Sequence, residues 1–429
     1  MDAFGVPGLA IALVREGRVA WAAGFGVANR FSGTQVTPET AFEVASNSKV
    51  VTAYAALRLV DQGVLALDEP LVASLTAPWL PPSGYAGEIT LRHVASHSSG
   101  LGENDLLPVD KTIVFEPRSA FAYSGVGFMY LQEAIEQVTG SSLDDAAQTL
   151  VFEPLQMSSS SFEGPADLRP PVANGHISYA FPLLLFLVPF VGILGVVMSV
   201  GLIVGRIRIG RWRISRTLTA VGVIVAAVST VLLVSTTLGK SVPNLAVLVA
   251  LSALAFAAAC AMAGFVARRM IDRLAAPPMH RRLFGLSMGV IVIALIGVSA
   301  RTVGPIPGLV SPPPSAVGSL TTTAPDLAAF LAEVAAPHLL GDEIAEELRT
   351  AQIAINDDFS WGLGIGVQHS EQGDALWQNG ITPGFRSLMV IYPEHQWGVV
   401  VLTNSDGGSQ AAHDVAARAL GGKARWSSF

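Results

Sequence analysis

Ser46-Asn47-Ser48-Lys49, within E-V-A-S-N-S-K-V-V-T-A-Y, sets a hydroxyl three residues ahead of an amine. A serine hydroxyl is a weak nucleophile until a neighbouring base takes its proton, and Ser–Lys pairs do this on folds without a Ser-His-Asp triad. On a helix, i to i+3 spacing puts both side chains on one face. A serine at the helix start also lies in a partly positive field with free N–H groups, where an oxyanion can be held. The same serine reads equally well as an ordinary N-cap, and Ser48 is a second candidate hydroxyl. The chain has only four lysines, Lys49, Lys111, Lys240 and Lys423, and Ser46–Lys49 is its one S-x-x-K.

Other patterns carry less chemistry. The eight histidines show no H-E-x-x-H or similar ligand spacing, so neither a metal nor a cofactor is expected. His97, in H-S-S-G-L, reads as support for a loop near the site rather than as a base. Gly362-Leu363-Gly364-Ile365-Gly366 looks like a fragment of a nucleotide loop but lies in a strand-like run, so a close-packed strand is expected there. Ser158 to Ser161 reads as a turn. One cysteine, Cys260, permits no disulfide within the chain. The start, M-D-A-F-G-V-P-G, has no charged segment followed by an apolar one, so no cleavable signal peptide is expected.

The elements that must position the pair fall in two unlike parts. Only 14% of the 429 residues are charged, against about 25% in typical globular chains, and the mean hydropathy is +0.51. Residues 177–304 carry eleven Arg, one Lys and a single acid, Asp272: a net charge of +11, against −18 for the remainder and −7 overall. Four apolar stretches fill this block, at about 180–204, 217–238, 244–267 and 283–300, each near the ~20 residues a helix needs to cross a bilayer. Arg-rich loops at 205–216 and 268–282 flank a short loop with one lysine, Lys240. The positive-inside rule puts the Arg loops in the cytoplasm, which accounts for them without nucleic acid. Both flanking parts, 1–176 and 305–429, then face the extracytoplasmic side of a cell membrane, as a multi-pass protein.

Those flanking parts pattern as α+β. G-L-A-I-A-L-V and R-V-A-W-A-A-G-F-G read as two strands joined at Arg15-Glu16-Gly17. Helices are expected after Ser46 to Gly63, from about Val126 to Val138, and from Thr323-Ala324-Pro325-Asp326 onward. Three late runs, W-G-L-G-I-G-V-Q, F-R-S-L-M-V-I-Y and G-V-V-V-L-T-N, read as strands. One antiparallel sheet completed by both ends of the chain is the expected layout.

The order of landmarks resembles the serine β-lactamase and penicillin-binding-protein superfamily, in its class-C-like serine hydrolase branch. S-x-x-K, a signature of that group, matches Ser46 and Lys49; Y-x-N falls at Tyr123-Ser124-Gly125; the K-T-G or H-x-G box falls at Gln378-Asn379-Gly380 before I-T-P-G-F. V-P-G-L-A-I-A-L-V, L-R-H-V-A-S-H-S-S-G-L, E-P-L-Q-M-S-S-S-S-F and T-T-T-A-P-D-L-A-A-F-L are similar phrases. Together they cover residues 1–176 and 312–415. The resemblance implies a β-lactamase-like antiparallel sheet flanked by helices and an all-helical domain, here interrupted by four transmembrane helices. It implies Ser46 as nucleophile, Lys49 and Tyr123 sharing proton transfer, and an oxyanion hole from the N–H groups of Ser46 and Ile381.

Two departures narrow the substrate. Gly125 stands where the family has an asparagine amide for the substrate's acylamino group, and Gln378 stands where a Lys or His would hold a carboxylate. Asn379 and Gly380 complete the substrate-binding box, and Arg386 is the remaining candidate for a carboxylate-binding charge. The expected activity is hydrolysis of a small-molecule or cell-envelope ester or amide. The alternative is a catalytically impaired domain that binds an envelope ligand as a sensor.

Overall fold

The computed structural model describes residues 1–176 and 314–421, apart from 31, 83, 104–108 and 165–170, together with residue 426. The chain divides into two compact units, Met1–Ile177 with Val303–Phe429, and Ser178–Thr302. All described residues belong to the first. The four apolar stretches expected to span a membrane lie outside the described residues, and no described helix is long and apolar enough to cross one.

Among the described residues, eight strands form one antiparallel sheet. From the N-terminal part come β1 (Gly8–Arg15) and β2 (Arg18–Gly26). From the C-terminal part come β5 (Ile353–Ala354), β6 (Phe359–Trp361), β7 (Gly366–Gln368), β8 (Ala375–Thr382), β9 (Phe385–Tyr392) and β10 (Trp397–Thr403). The order β2-β1-β10-β9-β8-β7-β6-β5 seats β1 against β10, with Leu9 opposite Thr403, so both ends of the chain complete the sheet. The small pair β3 (Ala41–Glu43) and β4 (Thr321–Thr323) joins the two parts again just before Ser46.

Side-chain alternation in the central strands explains how the sheet is covered on both faces. Ala10, Met389, Ile391, Val400 and Leu402 point into one core, and Leu9, Leu388, Val390, Val399 and Val401 into the other. The first core takes α1 (Asn47–Asp61), α2 (Leu91–Ala95), α3 (Gly125–Thr139), α4 (Leu143–Ala147), α5 (Ala324–Ala335) and α6 (Asp342–Arg349). The second takes α7 (Gly408–Leu420) through Ala411, Ala412, Ala416 and Leu420. Helix α3 ends at Gly140 in the left-handed conformation, as its sequence predicts.

Two strand expectations change. W-G-L-G-I-G-V-Q is not one strand: β6 ends at Trp361, β7 begins at Gly366, and Gly364 turns between them at φ +91°. The glycine is needed twice there, because a β-carbon would also collide with that of Ala53 on α1. Strand β8 reads polar at Gln378-Asn379-Gly380, which hid it; it extends past β7, whose pairing stops at Trp377.

Candidate active site

The nucleophile loop is Val44-Ala45-Ser46, between β3 and α1. Ala45 has φ +47°, a conformation that non-glycine residues adopt rarely and that is concentrated at functional turns. Ser46 occupies the N-cap position, but with helical φ/ψ of −62° and −9°, and its hydroxyl makes no capping bond. It accepts instead from Lys49 Nζ, at 3.2 Å. The hydroxyl is therefore not used as a helix cap. Ser48 is excluded as the working hydroxyl because it is fully buried and its Oγ accepts from the Leu320 N–H at 3.0 Å.

Lys49 is 2% exposed. Its Nζ also donates to the Val317 carbonyl at 2.8 Å and lies 5.1 Å from the centre of the Tyr123 ring. Gln132 on α3 holds the loop that supplies this carbonyl, accepting from Ala316 N–H and donating to Pro314 O. These partners are 182 or more residues apart in sequence, and no local pattern could have paired them.

Tyr123 precedes α3, whose N-cap Ser124 accepts from Gly127 N–H at 2.8 Å and donates to Gly102 O at 3.0 Å. The Ser124 N–H donates to His97 Nδ1 at 2.9 Å, so the His97 proton sits on Nε2. The His97 ring lies 4.2 Å from that of Tyr123 and is enclosed by Phe121, Phe128 and Trp361. Complete burial, with the Lys49 charge nearby, pushes His97 well below the ordinary imidazole range. It is a neutral support for the tyrosine loop, and its Nδ1 lone pair is already used.

Strand β8 forms the opposite wall. Gln378 is buried, with Nε2 3.4 Å from the Tyr123 hydroxyl and 2.6 Å from the Asn379 carbonyl. The β8–β9 hairpin closes through Pro383-Gly384, with Thr382 opposite Phe385. Closing pairs of such two-residue hairpins are hydrogen-bonded, and pairs alternate. Ile381, opposite Arg386, therefore turns its N–H away from β9 to the free edge of β8. Its side chain is 60% exposed, an apolar group at the rim. Gly125 opens α3, buried, with no side chain to offer an amide.

Arg386 is engaged by its own turn and by Asp406. Its Nη1 donates to the Thr382 and Phe385 carbonyls, at 2.7 Å each, and pairs with Asp406 at 3.4 Å. Burial lowers the guanidinium from its ordinary value, and Asp406 counters this. Arg386 thus braces the β8–β9 turn, and Lys49 is the basic side chain in contact with Ser46.

A second chain of bonds has Ser-His-Asp order: Ser360 Oγ to His369 Nε2 at 3.1 Å, and His369 Nδ1 to Asp374 at 2.9 Å. Ser360 stands inside β6 with Ala354 and Val367 opposite it on either side. Its N–H belongs to the ladder rather than to an oxyanion site, so this chain ties the β6–β7 hairpin to the start of β8.

Comparison with known proteins agrees with this geometry. The sequence matches the beta-lactamase family over residues 1–227 and 266–423. It is 29% identical over 187 residues to penicillin-binding protein 4 of Amycolatopsis lactamdurans, covering 40% of this chain and 49% of that one. It is 30% identical over 188 residues to esterase EstB of Burkholderia gladioli, covering 36% and 46%. The alignments thus span about half the length of these relatives. An octameric penicillin-binding protein homologue from Pyrococcus abyssi shares the fold, with a TM-score of 0.62 at 20% identity over 98% of this chain and 75% of that one. With Ser46, Lys49 and Tyr123 gathered at one cleft and the family match running along most of its length, this chain belongs to the beta-lactamase family.

Proposed function

We propose that the protein is a serine hydrolase that acts through an acyl-enzyme on an ester or amide. The observation that carries this reading is the uncapped Ser46 hydroxyl, 3.2 Å from a buried lysine beneath Tyr123. Lys49 and Tyr123 together take the Ser46 proton as Oγ bonds to the acyl carbon. The carbonyl oxygen gains its charge between the Ser46 and Ile381 N–H groups. Collapse expels the alcohol or amine with that proton, and water then frees the acid and restores Ser46.

The favoured substrate has no carboxylate beside the scissile bond. Gln378 is neutral, and Arg386 is occupied by its own turn and Asp406. Similarity to esterase EstB fits an ester substrate. Residues 177–304, with their four apolar stretches and Arg-rich loops, would hold the hydrolase at the extracytoplasmic face of a membrane. Protease protection of tagged termini in intact cells tests that placement; tags digested only after lysis would overturn it.

A fluorophosphonate probe tests the chemistry. It should label the protein at one peptide containing Ser46, and Ser46→Ala should abolish both labelling and turnover of an activated ester. Labelling at wild-type level in that variant would refute the nucleophile. The missing amide at Gly125 and missing charge at Gln378 favour one other reading, an envelope-ligand sensor. It would show thermal stabilisation by ligand without a burst or turnover.

A further inference from the structure

The two walls of the cleft meet at one knot. Val44 O, two residues before Ser46, accepts from Ser387 Oγ at 2.8 Å and from Asn47 Nδ2 at 3.2 Å. Asn47 Nδ2 also donates to Ser387 Oγ at 2.7 Å, closing a triangle of three buried groups. Ser387 lies directly opposite Gly380 across β8 and β9. Gly380 rests against the same atoms: a β-carbon there would collide with Val44 O and Ser387 Oγ.

We propose that Ser387 and Asn47 are positioning residues that set the spacing between the two oxyanion donors. The Ser46 N–H lies two residues beyond Val44, and the Ile381 N–H lies one residue beyond Gly380. A short path joins them: Val44 O, Ser387 Oγ and the β8–β9 pair. An oxyanion hole works when its donors stand 2.7–3.1 Å from the developing charge. A shift of a few tenths of an ångström at the knot reaches both donors. Asn47 fits this role better than a capping or solubilising one, because it is fully buried and its Oδ1 has no partner among the described residues. A buried, half-satisfied amide is retained for what its donor does.

This inference rests on the acyl-enzyme reading, and its test separates the two. Steady-state rates are compared on an activated oxo ester and its thiono analogue, whose sulfur accepts hydrogen bonds poorly. Ser387→Ala should lower kcat on the oxo ester by about 10- to 100-fold, short of the roughly 10²–10³ for loss of a whole donor. It should lower kcat on the thiono ester much less, so the preference between them shrinks, with KM within about twofold. Ser387→Thr, which keeps the hydroxyl, should restore the preference. Asn47→Val removes one donor and the orphaned Oδ1 without a large change in volume, and should shift the preference the same way should Ser387→Ala misfold. Equal losses on both esters, or an unchanged oxo ester rate, would overturn the positioning role while leaving the nucleophile intact. Absence of turnover and of Ser46 labelling in the unmodified protein would overturn both readings.

Discussion

Helix α1 reaches two buried charges, and the molecule treats them in opposite ways. Lys49, at the first turn, and Glu333 on α5, which meets Tyr54 two turns later, are each 2% exposed. Glu333 is held from several sides: Oε1 accepts from the Tyr54 hydroxyl and from the N–H groups of His338 and Leu339, and Oε2 contacts His338 Nδ1. Burial and Glu333 together push the Tyr54 hydroxyl well above the ordinary phenol range. Lys49 has one carbonyl, one hydroxyl at 3.2 Å and the face of a ring. The Glu333 knot binds the loop after α5 to α1, with Arg58 adding a bond to Leu339 O. A lysine held by so few partners is available to react, and a carboxylate held from several sides is not. Buried charge by itself therefore does not mark a site; incomplete pairing beside a nucleophile does.

The largest contrast comes from removing each charge. Lys49→Ala should reduce acylation by roughly 10³-fold or more, the scale of losing a catalytic base from such a unit. Its midpoint of thermal unfolding should hold or rise, because a buried polar group with few partners is gone. Glu333→Ala strands the Tyr54 hydroxyl in the core and leaves two part-buried backbone N–H groups unpaired, and should cost about 3–5 kcal/mol in chemical denaturation. Turnover per folded molecule should stay at wild-type level. A Glu333→Ala protein that is stable but slow would break the division between the two ends of α1.

How much of this the sequence disclosed depends on distance along the chain. Ser46 and Lys49 are one turn apart, and their spacing alone put them on one face. The sheet built from both ends was legible in G-L-A-I-A-L-V and G-V-V-V-L-T-N, because apolar runs of strand length record burial on two faces. Tyr123 and Gln378 became visible only through the family's order of motifs. Val317, Gln132 and Ser387 were not visible at all: a carbonyl has no residue type, and nothing local distinguishes a serine that touches a loop 343 residues away. Asn47 did carry a signal, a bulky amide inside the S-x-x-K itself. The type of Arg386 fits a carboxylate, but nothing local announces its bonds to the turn at Thr382 and to Asp406.

His97 extends the contrast to a third buried group, one held neutral. Its folded value is pressed far below the ordinary 6.5 by burial, with Lys49 adding to the effect. The unfolded chain therefore binds a proton near pH 6.5 that the folded chain refuses. Stability is whole above that pH and falls as pH drops below it, by up to ~1.4 kcal/mol per unit for one proton. His93, His176 and His413 are also lowered by burial, so the wild-type profile contains their slopes too. His97→Asn keeps an acceptor for the Ser124 N–H and removes the titration. Denaturation at pH 7.5 and 5.5 should show the variant losing less on acidification than wild type. Equal losses would mean that His97 takes up its proton in the folded state.

The smallest effect is expected at Arg386, and it tests whether the two ends of the site are as separate as their bonds indicate. The guanidinium touches carbonyls of its own turn and Asp406. Arg386→Ala should therefore cost about 1 kcal/mol of stability, the usual scale of a few partly buried hydrogen bonds. The charge is far better placed to brace the hairpin that carries Ile381 than to meet a substrate. The ratio of KM values for an ester bearing a carboxylate and its neutral counterpart should then be the same in the variant as in wild type, while kcat on both falls slightly and together. A KM rise confined to the carboxylate substrate would return Arg386 to the substrate side of the cleft and make Lys49 one of two working cations.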